Sequence, residues 1–103
     1  MNVIAPRTLR AFWTKHPQAE TPLKLWQKGM QKSSLQNLNE VRALYPSADL
    51  ASSQGGSTLT IFNIGGNNYR LVARIDYARQ RVFIRHVMTH AEYDKWNAQG
   101  RPE

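Results

Sequence analysis

The hydrophobic period of this chain changes once, between residues 45 and 58. Before that point apolar side chains recur every three or four positions; beyond it they alternate. Helices place i, i+3 and i+4 on one face, whereas strands place i and i+2 there. The chain must therefore build helices first and an antiparallel sheet second.

Leu9, Phe12, Trp13 and His16 stand at i, i+3, i+4 and i+7, predicting an amphipathic helix over 6–16 opened by Pro6. Thr21 reads as the N-cap before Pro22 of a second helix, whose buried stripe is Leu23, Trp26 and Met30 and which runs to about residue 32. Asn37 and Glu40 have capping-box spacing ahead of Leu38, Val41 and Leu44, and Pro46 stops that third helix. Trp13, Trp26 and Met30 read as core. Asn2–Ile4 suits a short leading strand. The Ser-, Asp- and Gly-rich stretch 47–57 reads as a loop.

Thr58–Ile64 has strand composition, and Gly65-Gly66 makes a hairpin turn. Over 67–77, Tyr69, Leu71, Ala73 and Ile75 face one way and Arg70, Val72, Arg74 and Asp76 the other. A turn at 78–80 leads to a third strand, 81–87, with Val82, Ile84 and His86 opposite Phe83, Arg85 and Val87. Thr89 and Glu92 form a capping box for a last helix from His90 to about Gln99, and 101–103 read as a frayed tail. The expected fold is α+β: a single small domain over 1–103, in the order β-α-α-α-β-β-β-α, with helices packed on one face of an antiparallel sheet.

Composition bounds the function. With 41% apolar residues, the 103-residue chain has the material for one small core. It has no apolar run long enough to span a membrane and no apolar segment after Met1 of the kind a secretion signal carries. No cysteine is present, so disulfides and thiol catalysis are excluded and a cytoplasmic setting is expected. Fourteen Lys and Arg against seven Asp and Glu leave a net charge of +7, which calls for an anionic partner, nucleic acid foremost. Lysines dominate the first half. Arg70, Arg74, Arg79, Arg81 and Arg85 crowd the strands around a single acid, Asp76. Arginine is the better phosphate fork, although some of the five are expected to pair with Asp76 or to face solvent.

Four side chains suit RNA cleavage. His90 and Tyr93, one turn apart on the last helix, can carry protons, while Arg70 and Arg85 can hold phosphate oxygens. The RNA 2′-hydroxyl is itself the nucleophile, so no metal or other cofactor is called for. The acids are too scattered for a two-metal nuclease, and His86 with His90 makes a poor zinc site. Asn67, Arg74, Arg79 and Arg81 are candidate RNA contacts. Residue types alone admit three readings: an endoribonuclease, a non-catalytic RNA- or DNA-binding module acting by occupancy, or a domain that docks an acidic protein.

Phe62–Arg70, with its Gly-Gly-Asn turn followed by Arg, and Ile84–Asp94, with Ile-Arg ahead of Thr-His-x-x-Tyr-Asp, resemble the HigB family of type II toxin–antitoxin toxins, which are RelE-like mRNA interferases. Leu44–Asp49 before the strands agrees in kind. The resemblance implies a RelE-like fold and a toxin that cleaves mRNA on the ribosome and so inhibits translation. It also implies a HigA-type helix-turn-helix antitoxin, operator DNA bound only through the antitoxin complex, and no membrane partner. By position, Arg70 matches the strand arginine on the scissile phosphate and Tyr93 the tyrosine of the C-terminal segment. His90 falls near a catalytic arginine of many relatives, and Arg85 and Asn67 fit the pattern. The lysine-rich segment that some relatives carry is replaced here by Gly65–Tyr69.

Overall fold

A computed structural model describes all residues, 1–103. The elements are β1 (Asn2–Ile4), α1 (Arg7–Lys15), a 3-10 turn (Pro17–Ala19), α2 (Glu20–Lys32), α3 (Leu38–Leu44), β2 (Asp49–Ser52), β3 (Thr58–Ile64), β4 (Tyr69–Asp76), β5 (Arg81–Thr89) and α4 (His90–Ala98). One sheet runs β1-β5-β4-β3-β2, antiparallel except where β1 lies parallel to β5. The α+β class expected from the change of period holds.

The helix-side core forms where the spacing placed it. Leu9, Leu23, Met30 and Val41 are fully buried against Phe62, Leu71, Ala73 and Val82. Phe62 takes the rings of Trp26 and Tyr45 edge-on at 5.4 and 5.3 Å. Trp13 is only partly covered and carries the Lys24 ammonium 5.3 Å above its ring. Gly65 and Gly66 turn the β3–β4 hairpin at φ +61° and +69°, a region that costs other residues strain.

Several particulars differ from expectation. The second helix starts at Glu20 on a 3-10 turn, so Thr21 lies inside it and no side chain caps it. Part of the expected loop 47–57 is a strand: Asp49–Ser52 pairs along Thr58–Ile61 as an exposed edge, which gives the alternation little to show. The tail is tied down instead of frayed. The Arg101 carbonyl accepts from Gln54 N–H at 2.9 Å, and Ser53 Oγ donates to the Glu103 carboxylate at 2.7 Å.

The largest difference is a β-bulge. Val72 faces His86 and Ala73 faces Ile84, which leaves Arg85 as the extra residue. Beyond it the facing of β5 reverses. Val87 joins the helix-side core with Val82 and Ile84, while His86 turns to the opposite face, contrary to the strict alternation read for 81–87. That opposite face is not bare. Trp96 of α4 packs there with Leu59, Ile61, Val72 and Met88, and its indole N–H donates to the Pro102 carbonyl at 2.7 Å. Helices thus cover both faces of the sheet, α1–α3 one and α4 the other.

Trp96 is the anchor of this second layer, so Trp96→Ala is expected to cost about 3–5 kcal/mol. A thermal melt reads this as a fall of roughly 10 °C or more. Trp96→Phe, which keeps the ring but not the donor, recovers most of it.

Candidate active site

The β3–β4 turn and the start of α4 meet at one end of the sheet. Tyr69 pairs with Thr89 and Arg70 with Met88, so the last two residues of β5 deliver α4 beside the turn. The Thr89 capping box fixes the helix start: Thr89 N–H donates to Glu92 Oε1 at 2.8 Å, and Glu92 N–H donates to Thr89 Oγ1 at 3.2 Å. His90 N–H then donates to the Asn68 carbonyl at 3.0 Å, tying helix to turn.

Arg70 is the centre of this junction. It is only 8% exposed. Its Nη1 donates to the carbonyls of Asn67 and Tyr69 at 3.2 and 3.0 Å, and its Nη2 donates to Asn67 Oδ1 at 2.6 Å. The guanidinium carbon sits 5.5 Å from the centre of the Tyr93 ring, within cation–π range. None of the molecule's four ion pairs involves Arg70. Neutral acceptors orient this buried cation without neutralising it, an arrangement chemically suited to an anion. Nε–H and one Nη2 hydrogen are not taken up by these bonds.

Arg70, Asn67 and Tyr93 therefore come together as one cluster. His90 joins it only through its backbone. Its ring points along the helix, with Nδ1 3.2 Å from Asp94 Oδ2 and the side chain 46% exposed. Asp94 was not among the expected site residues, although its i+4 spacing from His90 was there to read. A carboxylate on Nδ1 orients an imidazole and leaves Nε2 for proton transfer.

The other arginines disperse. Arg85, exposed on the bulge, lies beside the Glu103 carboxylate and the His86 ring, three positions along β5 from the residue that faces Arg70. Arg74 stacks on Phe83 at 4.4 Å. Arg79 pairs with Asp76 at 3.7 Å, and Arg81 stands opposite Asp76 at the far end of the hairpin. Six residues of strand, about 20 Å, separate that end from Arg70.

A profile of the HigB toxin family, described as the RelE-like toxic component of a toxin–antitoxin system, matches residues 19–96. The chain belongs to the HigB toxin family. It is similar to the mRNA interferase toxin HigB of Escherichia coli strain K12, at 33% identity over 98 residues that span 95% of this chain and 92% of the relative. It is also similar to the mRNA interferase HigB of Escherichia coli O6:H1, at 26% identity over 95 residues, 92% of this chain and 90% of that one. Membership makes the chain the toxic half of a two-component system, and so gives it an antitoxin partner. The matched segment contains the Asn67–Arg70 turn, the bulge, His90 and Tyr93. No helix of this HigB-family chain is long and apolar enough to cross a membrane.

His86 was missed as a structural group because the bulge that turns it inward cannot be read from alternation. Burial against Trp96 holds its pKa below the usual histidine value; the Pro102 carbonyl nearby opposes this and the Arg85 charge adds to it. A lowered pKa means that the folded state takes up the proton less readily than the unfolded chain. Stability from this site is complete above about pH 6.5 and declines as pH falls below it. The urea midpoint is expected to drop between pH 7 and pH 5, and His86→Gln is expected to flatten that slope.

Proposed function

We propose that this HigB-family chain is an endoribonuclease that cleaves mRNA on the ribosome in the cytoplasm. The 2′-hydroxyl attacks the adjacent phosphorus; the new O2′–P bond forms as the P–O5′ bond breaks. The products are a 2′,3′-cyclic phosphate and a 5′-hydroxyl end. The nucleophile comes from the RNA, so the step as written uses no metal and no other cofactor. The observation that carries this reading is the buried, carboxylate-free Arg70 guanidinium, oriented by Asn67 and roofed by Tyr93. Its free N–H groups suit two phosphate oxygens and the charge that grows on them in the transition state.

Proton transfer falls to Tyr93, against Arg70, and to His90, oriented by Asp94. Asn67 positions Arg70. Arg85, Arg74, Arg79 and Arg81 extend the basic surface toward the far end of the hairpin and serve as contacts to RNA, ribosomal RNA included. A HigA-type helix-turn-helix antitoxin restrains the toxin and carries the complex to operator DNA.

Mapping RNA ends in arrested cells tests the proposal. The wild-type chain is expected to give discrete cleavage ends and growth arrest that the antitoxin relieves. Arg70→Lys keeps the charge but loses the fork; it and Tyr93→Phe should each reduce cleavage about 10²–10³-fold with the fold intact by circular dichroism. Bound but intact RNA would point instead to repression by occupancy. Full cleavage by Arg70→Ala would remove Arg70 from the mechanism.

A further inference from the structure

On the helix side of the same sheet end, two adjoining depressions of about 270 and 340 Å³ share Lys15 and His16. Together they form one groove from Glu92 at the start of α4 to Gln18 and Tyr69. One wall is aromatic. The His16 ring stacks on Phe12, 4.5 Å between centres and 26° between planes. Tyr69 closes the group, edge-on to Phe12 at 5.6 Å and tilted to His16 at 6.3 Å. Lys15 has no ion-pair partner, and the one carboxylate on the groove, Glu92, is engaged in the capping box.

Tyr69 links this groove to the Arg70 cluster. Its ring lies in the groove, and its carbonyl accepts from Arg70 Nη1 at 3.0 Å. The two sites therefore sit on opposite sides of a rim one residue wide. We infer that the groove is a nucleotide subsite, in which a base next to the scissile phosphate stacks on His16 while Lys15 takes a phosphate of the same strand. Stacked rings beside a lysine are what single-stranded RNA recognition uses, and they tolerate any base because every base has a π-face. His16 is here a stacking group and transfers no proton. The inference rests on RNA as the substrate, as proposed above.

The test uses a short 2′-O-methyl RNA, which cannot be cleaved, titrated by fluorescence anisotropy. His16→Ala is expected to weaken binding about 10- to 100-fold. His16→Phe should stay within about threefold of wild type, and its cleavage of ordinary RNA should keep the wild-type pH profile with KM little changed. Lys15→Ala, an exposed change that leaves the core alone, should lower the slope of log affinity against log salt by about one. Unchanged binding in both His16→Ala and Lys15→Ala overturns the subsite. So does His16→Phe binding as weakly as His16→Ala, or losing a limb of the pH profile. Because the probe is uncleavable, the groove is read independently of catalysis. Intact cleavage with unchanged His16→Ala binding sinks the subsite alone, whereas tight, His16-dependent binding without cleavage sinks the nuclease reading alone.

Discussion

The stretch Tyr69–Ala73 is buried on both faces of the sheet, and much of the rest follows from covering it. Leu71 and Ala73 need α1–α3 above them, and Val72 needs something below. The bulge at Arg85 meets the second need. It turns His86 and Met88 toward the lower face while returning Val87 to the upper one, so α4 finds an apolar seat for Trp96. A 103-residue chain has little core to spare, and here one strand serves two cores at once. Arg70 belongs to that doubly buried stretch, so its charge is buried too. The Asn67 and Tyr69 oxygens are the local answer, supplied by a turn that two glycines allow to close so tightly.

Legibility in the sequence followed how local each cause was. The Thr89–Glu92 capping box, the Asn37 cap and the Gly65-Gly66 turn each depend on a few adjacent residues, and each is present as read. The Arg70 facing was equally readable from alternation, and with it the proximity of Arg70 to a hairpin end. The bulge was not, because nothing in Ile84-Arg85-His86 departs from strand composition; pairing with β4 decides it. The second face was hidden for a related reason. Helix α4 buries only Trp96, too few apolar positions to announce a packed stripe, and the tail that completes the layer is held by residues about fifty positions away. Both are long-range facts.

The net charge of +7 resolves into separate uses. Arg79 is offset by Asp76, Arg42 by Asp49, and Arg85 lies close to Glu103. Exposed pairs of this kind contribute little stability, but they lower the local field on the flanks. Among the cations without an ion-pair partner, two flank one end of the sheet: Arg70 below the rim and Lys15 above it. Unpaired cations on both sides of one rim draw an anionic strand to that end, which total charge alone does not achieve.

Tyr69 gives that end its geometry. A residue in a strand sends its side chain to one face and takes part in the ladder with its backbone, so a single position can contribute to two sites divided by the sheet. Here the ring borders the Lys15–His16 groove and the carbonyl steadies Arg70. A base seated on His16 would bring the neighbouring phosphate of its strand to the Arg70 side of the same rim, so recognition of the strand and alignment of its phosphate use one end of the sheet.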